Sequence, residues 1–167
     1  YIRLVEFDEV TADQFKEALE DLENQNMEKL IIDVRNNPGG VLQVVCDMLD
    51  QLLPEGLIVY TEDKNGNRKE YTSDEEHQFT KPLAVLANEN SASASEIFAG
   101  AIQDYGIGTI VGTTTFGKGI VQRTFYLSDG TGVKLTVAKY YTPKGHDIHK
   151  KGITPDVEIE LDEELKN

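Results

Sequence analysis

Apolar residues recur along this chain with two different periods. Mainly apolar runs of strand length predict buried strands at 29–34 and 82–89, and a short strand is predicted at 109–112. Apolar residues spaced three or four positions apart predict helices at 12–25, from 41 to about 53, and at 91–105, where a turn comes first. Strand–helix units in this order predict an α/β domain whose helices pack on a mixed β-sheet.

Two turn dipeptides add hairpins to this pattern. Asn65-Gly66 separates the strand candidates 57–63 and 68–72, and Asp129-Gly130 lies between 120–127 and 133–141. The second hairpin follows the strand–helix units, so we expect a long C-terminal hairpin attached to the α/β core.

Length and charge narrow the classes of function. The 167 residues fit one domain spanning 1–167. The net charge of -14, from 30 acidic and 16 basic residues, makes nucleic acid an improbable partner, because phosphate binding needs basic surface. The acidic runs 17–23 and 158–164 are typical of solvated surface. Cys46 is the single cysteine and lies in an apolar helical stretch, which favours a packed core thiol.

The first candidate for chemistry is a run of small residues after a predicted buried strand. Ser91, Ser93 and Ser95 alternate with alanine, and a helix start behind them offers free N–H groups that stabilise an anion. A serine nucleophile needs an anion-stabilising position of this kind, because its attack creates an oxyanion. However, Ser93 with Glu96 also forms a capping-box pattern, so helix capping is an equally simple explanation, and the choice among the three serines stays open.

The second candidate is Lys118, which lies between Gly117 and Gly119. A lysine acts as a base only when its pKa falls by about 3 units from about 10.4, and burial in an apolar pocket can cause this. We expect Phe116, Ile120 and Val121 to provide that pocket. The alternative is an exposed lysine in a flexible glycine loop.

Three other arrangements fit the sequence less well. His77, His146 and His149 lie in polar segments, so neither a Ser-His-Asp arrangement nor a metal site is well signalled. Residues 112–119 match most of a phosphate-binding loop, but Gly119 occupies the position of the magnesium-binding hydroxyl. The residues that follow, 120–126, read as a strand where that loop needs a helix.

The third candidate is the loop Asn37-Pro38-Gly39-Gly40, which joins a buried strand to a helix. Glycine amides can turn toward a bound carbonyl without steric cost. The loop therefore offers an oxyanion donor to pair with the amide of Ala94, although a simple turn and helix start would need the same residues.

Together these segments resemble the carboxy-terminal processing peptidases, also called tail-specific proteases. The resemblance rests on four segments in order: 33–40 (DVRNNPGG), 90–105 (NSASASEIFAGAIQDY), 111–122 (VGTTTFGKGIVQ) and 140–157 (YYTPKGHDIHKKGITPDV). Each motif is weak alone, and their combination over essentially the whole chain is specific.

The resemblance implies a crotonase-like α/β core with a Ser-Lys dyad. The middle serine of SASAS is the family's nucleophile, here Ser93, and the lysine of FGKG is its base, here Lys118, 25 residues later. Gln122 corresponds to a glutamine that orients the lysine in some members. Asp104, on the nucleophile helix, matches an aspartate implicated in others.

The remaining implications concern the oxyanion, partners and location. Gly39 and Ala94 match the family's oxyanion amides, while His146 departs from the polar residue common at its position. Members usually carry a PDZ domain that docks substrate C-termini, and we expect this chain to lack it. The resemblance further implies protein or peptide substrates, no cofactor and no metal, and an extracytoplasmic location. The oligomeric state is left open, with a homo-oligomer among the options.

The sequence thus predicts a serine endopeptidase that cleaves near protein C-termini. Two other classes share features with it. Retinoid-binding repeats resemble the same core and serve as carriers, but loss of the Ser-Lys pair would favour that class, and both residues are present here. Crotonase-like acyl-CoA enzymes share the oxyanion arrangement, but the sequence shows no pattern typical of a site for the adenine and phosphates of CoA.

Overall fold

A computed structural model describes residues 1–161 of the chain. It contains three helices and nine strands within those residues. In chain order they are β1 (Ile2–Arg3), α1 (Thr11–Asn24), β2 (Leu30–Asp33), α2 (Leu42–Asp50), β3 (Gly56–Asp63), β4 (Arg68–Ser73), β5 (Leu83–Ala87), α3 (Ala94–Tyr105), β6 (Thr109–Gly112), β7 (Ile120–Tyr126), β8 (Gly132–Tyr141) and β9 (Val157–Glu158).

Five parallel strands form the first sheet, in the order β1-β2-β5-β6-β9. The strands predicted at 29–34, 82–89 and 109–112 are β2, β5 and β6, and Ile32, Val85 and Ile110 lie level with one another across them. All three side chains are fully buried. Ile31 of β2 is 42% exposed, whereas Leu30, Ile32 and Asp33 are buried, so the strand is open to solvent at Ile31 alone.

Four antiparallel strands form a second sheet, in the order β4-β3-β8-β7. The predicted mixed α/β domain is confirmed, and its strands separate into one parallel and one antiparallel sheet instead of one mixed sheet. The connections explain the separation. β1 with β2 and β5 with β6 are joined through helices and pair in parallel, whereas β3 with β4 and β7 with β8 are joined by short turns that allow only antiparallel pairing.

The core lies among the helices and the two sheets. Phe7, Phe15, Met48, Phe98 and Ile102 are almost completely buried within it. Helix α3 is the most enclosed element, because every residue from Ala94 to Ile102 is buried. A helix so enclosed gives the residues at its N-terminus a fixed position.

Two features of the surface complete the description. Within residues 1–161, no helix combines the length and apolar character that crossing a bilayer requires. Residues 158–161 of the predicted acidic run are exposed, and its last residues, 162–164, lie outside the described part of the chain.

Cys46 is predicted to resist thiol reagents in the folded protein. It packs in the core with 4% of its surface exposed, and burial raises the pKa of its thiol from 9.0 to about 12. Near pH 8 the folded chain should hold about a thousandfold less thiolate than the unfolded chain. The rate of reaction with an aromatic disulfide, followed with and without urea, measures this difference. Equal rates would show that the thiol is accessible.

Candidate active site

Ser93 lies on a sharp turn between β5 and α3, where it precedes the first helical residue. Its backbone has φ 58° and ψ −113°, outside the regions that L-residues ordinarily occupy. Such a conformation costs on the order of 1–3 kcal/mol and persists only where the surroundings enforce it. Strained strand-to-helix turns of this kind hold a serine hydroxyl out from the sheet in known hydrolases.

The surroundings of the three serines distinguish them, which the sequence could not. The Ser91 hydroxyl donates to the Val34 carbonyl at 2.7 Å, and the Ser95 hydroxyl donates to the Asn37 carbonyl at 3.0 Å. Both serines are fully buried. Ser93 is half-buried, and its side chain makes no capping hydrogen bond. Of the three hydroxyls, that of Ser93 is the one available to a substrate.

Glu96 joins the serine turn to the lysine loop. Its side chain is completely buried, and its carboxylate accepts four hydrogen bonds. Oε2 accepts from the N–H groups of Ser93 at 2.9 Å and Lys118 at 2.8 Å. Oε1 accepts from the Thr115 hydroxyl and the Gly117 N–H, both at 2.6 Å.

The capping box predicted at Ser93 and Glu96 is therefore present, and it does not compete with a nucleophilic serine. The cap bond from Ser93 uses its backbone N–H, while the Glu96 N–H donates to the Ser93 carbonyl at 2.9 Å. The hydroxyl donates none of these bonds, so its proton stays available. Helix capping and a free nucleophile, which looked like alternatives in the sequence, coexist at one residue.

The loop that carries Lys118 is also fastened from the C-terminal side. Thr115 N–H donates to the Ile153 carbonyl at 3.1 Å, and Ile153 N–H donates to the Thr115 hydroxyl at 2.7 Å. Lys150 N–H donates to the Gly117 carbonyl at 2.8 Å. The backbone on either side of Lys118 is thus fixed, although Gly117 and Gly119 flank it.

The predicted apolar pocket around Lys118 does not form. The lysine side chain is exposed, Phe116 is 64% exposed, and Ile120 and Val121 are half-buried. The physical reason is that the side chains of Phe116 and Lys118 point to solvent, while the loop backbone and the Thr115 hydroxyl are turned toward Glu96.

Gln122 lies on β7, on the same face of the strand as Lys118 by the alternation of side chains. The two Cα atoms are four residues, or about 13 Å, apart if the segment is extended. Both side chains are long and exposed. Their arrangement is compatible with the predicted contact, which stays a prediction.

The two predicted oxyanion amides lie beside the nucleophile. A Cβ atom added to Gly39 would lie 2.8 Å from the Ser93 Cβ and 2.9 Å from the Ala94 nitrogen, so glycine alone permits this approach. The positive φ of Gly39, 103°, imposes the same choice. However, the Gly39 N–H donates to Asn37 Oδ1 at 2.9 Å, so this amide is already hydrogen-bonded.

Asp104 lies far from this group. It is eleven residues beyond Ser93 along α3, which corresponds to about 16 Å. Its carboxylate accepts from the Lys144 N–H at 2.8 Å and pairs with His146 Nδ1 at 3.3 Å. These contacts hold the segment after β8 against the end of α3. The structure therefore does not bring Asp104 together with Ser93 and Lys118.

A second buried carboxylate lies at the end of β2. Asp33 accepts hydrogen bonds from Arg35 Nη2 at 2.7 Å, from Arg35 Nε at 3.0 Å and from the Tyr1 hydroxyl at 2.6 Å. Its side chain is 2% exposed. Burial acts to raise the pKa of Asp33, but the hydrogen bonds from Arg35 and Tyr1 outweigh it and hold the pKa below 3.8. Asp33 and Arg35 line a groove of about 850 Å³ across the carboxyl ends of the parallel strands.

His77 and His146 lie away from the serine–lysine region, whereas the backbone of His149 packs against Gly119, next to Lys118. Asp74, Glu76 and His77 have side-chain atoms within 4.8 Å of one another, but all three are exposed. His146 contacts Asp104, and His149 N–H donates to Asp147 Oδ1 at 2.9 Å.

Sequence reasoning missed the roles of Glu96, Thr115 and Asp33. Glu96 was assigned only as a capping residue, because the capping pattern accounts for a glutamate at that position. Its contacts with Thr115, Gly117 and Lys118 span 19 to 22 residues and depend on tertiary folding. A glutamate next to the apolar run 97–102 was the available signal, since a charged residue so close to buried helix positions needs partners.

A serine on a strained strand-to-helix turn, with a lysine loop attached to the same helix, is typical of enzymes that use a serine nucleophile. Residues 1–159 match the model of peptidase family S41, and the chain belongs to this family. It is 49% identical over 160 residues to a carboxyl-terminal-processing protease of Synechocystis sp., covering 96% of this chain and 38% of that protein. It is 44% identical over 160 residues to the carboxy-terminal processing protease CtpB of Bacillus subtilis, covering 95% of this chain and 33% of that one.

The fold agrees with a solved relative. A photosystem II D1 C-terminal processing protease superposes with a TM-score of 0.90 at 41% identity, covering 95% of this chain and 41% of that chain. The chain therefore spans 33% to 41% of the length of these relatives. The predicted family is confirmed, and the activity of the whole protein is taken up below as a proposal.

Glu96→Gln is predicted to damage both stability and the site. The amide nitrogen cannot accept hydrogen bonds, so at least one donor among Ser93, Thr115, Gly117 and Lys118 is left unpaired in the interior. Loss of the charge and of these bonds should lower the free energy of unfolding by about 3–5 kcal/mol, as when a buried charge network is broken. Urea unfolding measures the loss. The exposed Glu89, whose carboxylate accepts from the Thr113 hydroxyl, supplies the control Glu89→Gln, which should change stability by less than about 1 kcal/mol.

The buried Asp33 carboxylate should make the free energy of unfolding fall in acid. Its folded pKa lies below the unfolded value of 3.8, so its contribution is complete above pH 3.8 and is lost as the pH falls through the folded pKa. Asp33→Asn should therefore be less stable than the parent chain at neutral pH, and the difference should shrink below 3.8. Urea unfolding from about pH 7 down to about pH 3 measures it. A constant difference over this range, or the same pattern for the exposed Asp13→Asn, would contradict the assignment.

Proposed function

We propose that the chain is the catalytic part of a serine endopeptidase that cleaves proteins near their C-termini, with Ser93 as nucleophile and Lys118 as general base. The observation that carries the proposal is the Glu96 carboxylate, which hydrogen-bonds the backbones of both residues. Two loops 25 residues apart are thereby held against one helix end. The names of the relatives, carboxyl-terminal processing proteases, supply the substrate class.

The reaction begins with proton transfer. Neutral Lys118 takes the proton from the Ser93 hydroxyl as Oγ forms a bond to the carbonyl carbon of a substrate peptide. The carbonyl oxygen gains the negative charge and lies at the Ala94 N–H, at the start of α3, where the helix dipole also favours an anion. Collapse of this intermediate breaks the C–N bond, and Lys118 gives its proton to the departing amine. Water then hydrolyses the acyl-enzyme by the same proton path.

Gly39 would supply the second oxyanion donor. Its N–H is hydrogen-bonded to Asn37 Oδ1, so it must be shared with, or released from, that side chain when the oxyanion forms. The Asn37 amide is itself fixed, since its Nδ2 donates to the Leu4 carbonyl at 2.9 Å. A small rotation of the Gly39 peptide is the change that the proposal requires at this loop.

Lys118 must be neutral to act as a base, and its side chain is open to water. A substrate lying over the serine turn would exclude that water, and an environment without water favours the neutral amine over the ammonium. The base would then become competent only when a substrate is bound. Gln122, on the same strand face, would orient the lysine, whereas Asp104 would act through the segment 142–146 that it holds.

The proposal includes a crotonase-like assignment of the fold. Its support is the pair of strand–helix units β2–α2 and β5–α3, whose connecting loops carry Gly39 and Ala94 side by side. It also includes one domain over 1–167, substrates recruited through their C-termini and an extracytoplasmic setting. Relatives described as chloroplastic processing peptidases support a location outside the cytoplasm.

Covalent labelling of Ser93 by a fluorophosphonate tests the dyad. The parent chain should be labelled once, Ser93→Ala not at all, and Lys118→Ala at least a hundredfold more slowly, since removal of a general base costs 10²–10⁴-fold. Ser128→Ala and Lys134→Ala replace exposed residues of the β7–β8 region and should match the parent. Mass spectrometry identifies the labelled residue. If Lys118→Ala labels at the parental rate, Lys118 is not the base, and a chain that is never labelled would fit the carrier class.

A further inference from the structure

Strand β7 is an edge of the antiparallel sheet, and among residues 1–161 it pairs with β8 alone. An edge strand presents unpaired N–H and C=O groups to any extended chain that approaches it. The register of β7 with β8 determines which of these N–H and C=O groups point to the free edge, and the serine turn lies on the same side.

The hydrogen-bonded positions of β7 alternate along the strand. The Gly119 carbonyl accepts from Tyr140 N–H at 2.9 Å, and Leu127 N–H donates to the Thr131 carbonyl at 2.7 Å, so both positions face β8. The register irregularity next to Val121 inserts its extra residue in β8, so the alternation in β7 is unbroken. The backbone groups of Ile120, Gln122 and Thr124 therefore point away from β8.

The same alternation continues back to Lys118. Its N–H also points away from β8, and there it donates to Glu96 Oε2, which accepts from Ser93 N–H as well. The free backbone edge at Ile120, Gln122 and Thr124 is thus the continuation of the side on which the serine turn lies.

The two edges of the sheet differ in protection. Edge strand β4 carries Arg68, Lys69 and Glu70, with an ion pair between Arg68 and Glu70 at 2.8 Å, and charges of this kind discourage strand pairing. β7 carries one charged side chain, Arg123, and none at Ile120, Gln122 and Thr124, whose backbone groups are free. Residues 118–139 contain four cationic side chains and one acidic side chain, a net charge of +3 in a chain of -14. This region favours an extended chain that carries a carboxylate.

We propose that the β7 edge binds the polypeptide substrate as an added β-strand, through the backbone groups of Ile120, Gln122 and Thr124. The inference rests on the proposed function. A peptide paired there would run along the edge to Lys118 and across the serine turn. Backbone pairing would provide affinity without a demand for a particular sequence, since every peptide has the same N–H and C=O groups.

Amide hydrogen exchange by NMR tests the pairing on the Ser93→Ala chain, with a ten-residue apolar peptide that ends in a free carboxylate. Addition of the peptide should slow exchange at Ile120, Gln122 and Thr124 at least tenfold. The amides of Arg123 and Phe125, already paired with β8, should change little. Unchanged exchange at the three outward amides, or protection confined to other strands, overturns the proposal. Protection that appears without peptide and grows with protein concentration also overturns it, because the edge then pairs with a second copy.

Binding measurements supply a second, independent result. Thr124→Pro removes one outward N–H and leaves the inward amides intact, and it should weaken peptide binding about three- to tenfold, the value of one hydrogen bond. Thr124→Val keeps the N–H and should bind like the Ser93→Ala parent. Peptides N-methylated at successive positions should lose affinity at every second position, and a flat profile overturns the proposal. Since these readouts use Ser93→Ala, the proposed hydrolysis can fail while strand addition holds, and the reverse.

Discussion

The arrangement of this site depends on one buried carboxylate. Glu96 is enclosed at the start of α3, and its partners are three backbone N–H groups and one hydroxyl. Desolvating a carboxylate costs several kcal/mol, and hydrogen bonds to a charged group contribute about 1.5–3 kcal/mol each. Four such bonds can offset the cost, but only if the serine turn and the lysine loop stay in place. The charge therefore makes the relative position of the two loops a condition of stable folding.

This constraint separates the backbone of the site from its reactive side chains. The backbone is fixed, since Ser93 is held at a strained φ and Gly39 approaches it too closely for any side chain. Gly117 is hydrogen-bonded to both Glu96 and Lys150. The Ser93 hydroxyl and the Lys118 ammonium group, in contrast, are left accessible. In the proposed reaction the substrate binds to a preformed frame and itself completes the exclusion of water.

The two sheets have different functions around that frame. The parallel sheet places the loops of β2, β5 and β6 at one edge, which is why Gly39, Ser93 and Lys118 meet although they come from distant parts of the chain. The antiparallel sheet extends from the same place through β7, with an edge that is uncharged where its backbone points outward. Asp104 and His146 stabilise the far end of α3 and keep the return segment from β8 in position.

The sequence by itself determined the elements and the family, and it named candidate residues for the chemistry. Apolar periodicity located β2, β5, β6 and α3, because burial requires that spacing, and the spacing of Ser93, Lys118 and Gln122 identified the family pattern. Tertiary structure decided the rest. It separated the strands into two sheets, left Lys118 exposed where apolar neighbours had predicted a pocket, and selected Ser93 by engaging Ser91 and Ser95 with carbonyl groups. Above all it gave Glu96 a second role, since contacts across about 20 residues arise only when loops meet in three dimensions, and no local pattern contains them.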